Sequence, residues 1–178
     1  MSATHVLPSF FLALVLFATS VVQAQEDVIA GSARYPKINE LSWINYQFMD
    51  RQRETIANLS QIHYGKRIRS DKHDLDTLQR IVDDGLIEKD ETRDLQALGV
   101  ILGDIYLREH DDLVWRVYED ELGKSFAVCV GSTEHCLFPL TMLSRRIEVG
   151  AKPDVHMVYD KGWQAIKKQL PRVPFQRD

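Results

Sequence analysis

Hydropathy along this chain changes period twice, and that order of periods constrains the fold more than any other feature. From about residue 39 to 109, apolar residues recur at helical spacing; from 113 to 138 they alternate; from 139 the helical spacing returns. Helices, then a short antiparallel sheet, then helices predict an α+β fold with a three-stranded antiparallel meander between N-terminal and C-terminal helices.

The individual elements follow from the same pattern. Asn39 is a good N-cap type, and Leu41, Ile44, Phe48, Ile56, Leu59 and Ile62 mark a first helix that Gly65 terminates. A second helix is expected over about 72–84, with Leu75, Leu78, Ile81 and Val82 inward. A third is expected over about 91–109, with Leu95, Leu98, Ile101, Leu102 and Ile105 inward. These two share a pattern at an offset of 20, from Asp74-Leu75 to Asp84 and from Asp94-Leu95 to Asp104. Two copies are too few for a solenoid, and the pair reads as a helical hairpin. Leu113 to Tyr118 alternates as a strand, and Glu119-Asp120-Glu121-Leu122-Gly123 supplies a turn. Two more strands follow around Gly131-Ser132-Thr133-Glu134. Pro139 opens a helix ending at Gly150, and Pro153 opens a last one that Pro171 stops.

Gly99 and Gly103 lie four apart on the third helix, where each costs about 1 kcal/mol relative to Ala. The missing side chains admit another backbone at close range. Asp94 and Asp104 bracket the stretch, which excludes a membrane helix dimer and leaves close packing inside the domain.

The first 24 residues contain no Lys, Arg, Asp or Glu. Phe10 to Ala18 is an apolar run, and Val22-Gln23-Ala24 places small residues where a signal peptidase cuts. A cleaved export signal over 1–24 is expected, with an uncleaved N-terminal anchor as the alternative, since the segment before the run offers only the α-amino group and His5. The run is too short for a stable membrane span. Residues 25–37 lack periodicity and read as a flexible lead-in to a single domain over 38–172. All 22 basic and 26 acidic residues lie after the signal, so the net charge stays at −4, which argues against a nucleic-acid partner. Lys66-Arg67-Ile68-Arg69 reads as a solvated loop after the first helix, with phosphate binding as the alternative.

Cys129 and Cys136 are the two cysteines of the chain. A periplasmic or secreted destination is oxidising, so a matched pair there forms a disulfide. A hairpin folded about Ser132-Thr133 places them opposite each other, close enough to bridge.

The motifs in order resemble a bacterial family known as domain of unknown function 3806. The similar stretches are Asp50-Arg51-Gln52-Arg53, Asp74-Leu75-x-x-Leu78-Gln79 and Leu95-Gln96-Ala97-Leu98-Gly99-x-x-x-Gly103-Asp104. They continue with Trp115, Glu119-Asp120-Glu121-x-Gly123 and Phe138 to Arg146, covering about residues 46 to 150. The resemblance implies a shared fold. It carries over no activity, substrate or catalytic residue, and the cysteine pair lies outside it.

No nucleophile elbow, phosphate-binding loop, zinc-protease motif or EF-hand loop is present, so no catalytic, cofactor-binding or metal residue is assigned. Glu109-His110-Asp111-Asp112 holds four potential ligands but reads as a solvated helix terminus. His63, His73, His135 and His156 show no ligand spacing. Asp120 and Glu121 could form an acid/base pair, although a turn between strands demands such residues anyway. Asp104 sits among apolar neighbours and is expected to be buried in an ion pair with Arg145 or Arg146. The leading expectation is therefore a non-enzymatic protein of the periplasm or exterior that binds an unidentified protein partner in the cell envelope. The alternative is an envelope-acting hydrolase using Asp104, Asp120 and Glu121.

Overall fold

The computed structural model describes residues 35–171. In chain order these form β1 (Lys37–Asn39), α1 (Trp43–Tyr64), α2 (Asp74–Asp83), α3 (Thr92–Glu109), β2 (Leu113–Asp120), β3 (Gly123–Val130) and β4 (Cys136–Leu137). Then come α4 (Pro139–Glu148), α5 (Val155–Ile166) and a 3-10 turn over Lys167–Gln169. The expected signal over 1–24 and the lead-in up to residue 34 lie outside the described residues.

α3 is the axis of the fold. Leu95 and every residue from Ala97 to Tyr106 are buried. A helix that is apolar on all sides has to be enclosed on all sides, and α4 and α1 supply the largest share of that enclosure. The two glycines make the enclosure tight. A Cβ on Gly99 would sit 2.4 Å from Leu140 Cα and from the Pro139 carbonyl oxygen, and one on Gly103 would sit 2.1 Å from Trp115 Cζ2. The first turn of α4 therefore packs backbone to backbone on α3, and the Trp115 indole lies flush against the next turn.

The sheet has the order β1-β2-β3-β4 with every pairing antiparallel. Trp115 pairs with Val128 and Val117 with Phe126, so these residues share the face turned toward α1 and α3. On that face the Phe126 ring stacks on Phe48 of α1, with centroids 5.5 Å apart.

The α+β class and the three meander strands match the sequence expectation, and the sheet gains a fourth strand. Asn39 is not a helix cap: with Lys37 and Ile38 it pairs against Val117–Glu119 as β1, so the lead-in ends before Lys37. Three residues are too few to show a period. The true cap of α1 is Ser42, whose Oγ accepts the Asn45 amide at 3.3 Å, while Asn45 Oδ1 accepts the Ser42 amide at 2.8 Å. The buried face of α1 is Met49, Gln52, Ile56 and Ser60. Ile44 and Ile62, expected inward, are 69% and 77% exposed.

The second and third helices do not pack as a hairpin either. α2 contacts α5 more extensively than α3. Gln79 Oε1 accepts the Val155 amide at 2.7 Å, Lys152 Nζ donates to the Asp83 carbonyl at 2.8 Å, and His156 meets Asp76 at 2.9 Å. The cysteine expectation holds in geometry. Cys129 and Cys136 are register partners, bonded to each other, and the neighbouring Val130 amide donates to the His135 carbonyl. That places the cysteines at a non-hydrogen-bonded position, where cross-strand Cα atoms come closest.

Candidate binding groove

Asp104 is 9% exposed and is the most strongly engaged carboxylate in the interior. Arg53 of α1 grips both its oxygens, Nε to Oδ2 at 2.7 Å and Nη2 to Oδ1 at 2.8 Å, and Trp115 Nε1 donates to Oδ1 at 2.9 Å. Arg53 Nη1 also donates to Asp50 at 2.8 Å. The Asp104 hydrogen bond raises the Arg53 pKa, against the lowering effect of desolvation. The buried ion pair expected of Asp104 is thus present, with a different partner. Arg145 is exposed on α4, and Arg146 donates to the Met142 carbonyl one turn earlier on its own helix. Both point away because α4 meets α3 through its apolar face, Leu140 and Leu143. The signal for Arg53 was present in the Asp50-Arg51-Gln52-Arg53 stretch.

Of the carboxylates of the hydrolase alternative, Asp104 does not converge with Asp120 and Glu121. Asp120 accepts the amides of Leu122 and Gly123 at 2.9 and 3.1 Å, an Asx turn that closes the β2–β3 hairpin. Glu121 is exposed at that turn. Trp115, which touches Asp104, lies five strand residues before Asp120, a span of about 16 Å. Both Asp104 oxygens are occupied besides. Paired acid/base chemistry of the glycosidase kind needs carboxylates within about 10 Å.

Among the described residues no group of three or more His, Cys, Asp or Glu is placed to hold a metal ion, and the Glu109–Asp112 cluster does not gather as one. Nor is it simply solvated. The His110 ring stacks on Trp163 of α5 with centroids 3.5 Å apart, one turn beyond the Tyr106–Tyr159 stack at 4.5 Å. Glu109 pairs with Lys72 at 3.3 Å. Desolvation, then the Lys72 charge, lower the His110 pKa.

What the fold does assemble is an open groove of about 550 Å³ between the tip of the β2–β3 hairpin, the first turn of α4 and the start of α3. Phe48, Phe126 and Phe138 supply apolar wall, while Gln96, Lys124 and Arg145 supply polar groups. Leu122, at the hairpin tip, lines the groove while 97% exposed. A second concavity of about 450 Å³ shares Lys124, Ser125 and Phe126 with the first and reaches Ser42 and Asn45 at the start of α1. Trp43, Ile44 and Tyr46, on that same first turn, are 74%, 69% and 52% exposed. Gln96, Asp120, Gly123, Phe138, Thr141 and Arg145, far apart in sequence, all belong to the shared motifs and meet in the first groove.

Together these features define a small α+β domain built on one buried helix, with an amphipathic groove beside its hairpin. The sequence family described as domain of unknown function (DUF3806) matches residues 74–159, and the chain carries that domain. The match starts after α1, so Arg53 reaches Asp104 from outside it. A crystal structure from Bacteroides thetaiotaomicron VPI-5482 is similar in fold, with a TM-score of 0.65 at 14% identity. The similarity covers 74% of this chain and 48% of that one, so this chain spans about half of its length. No curated protein sequence matches the chain. Among the described residues, no helix is long and apolar enough to cross a membrane.

Proposed function

We propose that this chain is a non-enzymatic domain that works outside the cytoplasm, in the periplasm or secreted, by binding another protein. The groove beside the β2–β3 hairpin carries the proposal. It is open, combines aromatic faces with Arg145 and Lys124, and sits below a 97% exposed Leu122. Protein interfaces place aromatic and arginine anchors in such surroundings. Of the carboxylates that would argue for hydrolysis, Asp104 is tied up in an ion pair and Asp120 in a turn. The apolar segment with its Val22-Gln23-Ala24 end supports export, and the bonded cysteine pair is in keeping with an oxidising compartment.

The test compares two baits in pull-downs from envelope extract: the tagged full-length chain and its Leu122→Asp/Arg145→Glu variant, both substitutions being at exposed positions. One protein retained by the parent and lost by the variant supports the proposal. Equal retention by both baits removes the groove from the interaction, and failure to retain any protein above background counts against protein binding altogether.

A further inference from the structure

We propose that the loop between α1 and α2 is a binding site for a phosphate dianion, either free or at the end of a lipid headgroup. Gly65, Lys66, Arg67, Arg69, His73, Asp74 and Thr77 surround a concavity of about 490 Å³, remote in sequence from the hairpin groove. Lys66, Arg67 and Arg69 are exposed, and none forms an ion pair among the described residues, although the chain as a whole is acidic.

The loop that presents these cations is held in shape by buried polar groups. At its start, Gly65 has a φ of 63° and caps α1, and Ser60, fully buried, donates its hydroxyl to the Lys66 carbonyl at 2.9 Å. At its end, Asp74 is 4% exposed, and its Oδ2 accepts the amides of Arg69 and Ser70 at 2.7 and 2.6 Å. Ser70 takes a φ of 57° to reach it. Ile68 turns inward against the core between the two arginines. Burying a carboxylate is unfavourable unless it is well bonded, and here its bonds orient the backbone that carries the charges. Asp74 Oδ2 is thereby engaged by the loop backbone, and against the one carboxylate that lines the concavity stand the three cations.

Thr77 points to what the concavity holds. It is 2% exposed yet lines the cavity. Thr55 and Thr141 donate their hydroxyls to carbonyls of their own helix or its cap. The Thr77 hydroxyl has no such partner among the described residues. Two guanidinium forks, an ammonium and a free hydroxyl donor match an anion with several oxygens, and phosphate is the group such forks recognise. The space exceeds a bare phosphate and admits a headgroup.

Calorimetric titration of the full-length chain with inorganic phosphate at low salt tests the site. Flotation with phosphatidylcholine vesicles, alone or containing phosphatidic acid, identifies the source. Binding at about 1 mM or tighter is expected. Thr77→Val, nearly isosteric, should weaken it about fivefold. Lys66→Ala/Arg67→Ala/Arg69→Ala, all at exposed positions, should abolish it with the melting temperature unchanged. Flotation only with phosphatidic acid assigns a lipid headgroup, and phosphate binding without flotation assigns the free ion. No binding of either probe overturns the proposal. So does binding that survives Thr77→Val undiminished, which would mark diffuse surface attraction.

Discussion

Arg53 and Asp104, 51 residues apart, form a two-point ion pair at 2.7 and 2.8 Å that ties α1 to the buried helix α3. Trp115 completes it from the sheet at 2.9 Å, so one carboxylate joins the two helices and β2. The Gly103 turn makes this possible, because only a glycine there lets the indole lie close enough to reach the next residue.

Removing the arginine should expose how much this junction contributes. Arg53→Met leaves Asp104 buried with Trp115 as its remaining partner, and a loss of about 2–3 kcal/mol is expected, below the fully buried range because Arg53 is 31% exposed. Combining it with Asp104→Asn should cost less than the two single losses added. Urea unfolding of the four proteins measures the coupling, and strict additivity would show the pair to be energetically idle.

Gly103→Ala reverses the usual sign. In an ordinary helix it would stabilise by about 1 kcal/mol, but here the new methyl meets Trp115 Cζ2 at 2.1 Å. Net destabilisation of about 2 kcal/mol is expected, with a change in tryptophan fluorescence as the indole shifts. Gly99→Ala meets backbone at 2.4 Å instead, so it should also destabilise and shift Trp115 less.

His110 makes stability depend on pH. Its folded pKa lies below the ordinary 6.5, so near and below that value the unfolded chain binds more protons than the folded one. The contribution is complete above pH 6.5 and is lost as pH falls toward the lower folded value. Thermal melts from pH 7.5 downward should show this loss, and His110→Phe, which keeps a ring on Trp163, should flatten it. The nearby Lys72, Glu109 and Asp112 stay in place in that variant, so an unchanged profile would assign the slope elsewhere.

The disulfide closes a short loop and should matter modestly. With a sequence separation of 7, replacing Cys129 and Cys136 by Ala should cost about 2 kcal/mol. Thiol titration of the exported protein after unfolding should find no free sulfhydryl. Two free thiols would remove the support that the bridge lends to an exported destination.

Local pattern was enough for most of the elements. The switch from helical to alternating period located α3, β2 and β3, and Pro139 marked the start of α4. Folding about Ser132-Thr133 placed Cys129 opposite Cys136, because hairpin register is a matter of counting from the turn. The glycines at 99 and 103 announced close packing because nothing else offsets their helix cost. The exposure of Ile44 and Ile62, the burial of Gln52 and Ser60, and the three-residue β1 were illegible. Each depends on which neighbour arrives from elsewhere in the chain.

The sequence by itself therefore determined the order and kind of the elements other than β1, the inward face of α3 and the cysteine pairing, all of which arise within a helix face, a turn or a hairpin. Tertiary structure alone decided that Asp104 meets Arg53 and not Arg145 or Arg146. It also gathered Gln96, Asp120, Phe138 and Arg145 around one groove. The physical reason is range. Periodicity and turn chemistry act over a few residues, whereas an ion-pair partner or a groove wall is selected by how whole helices and strands pack.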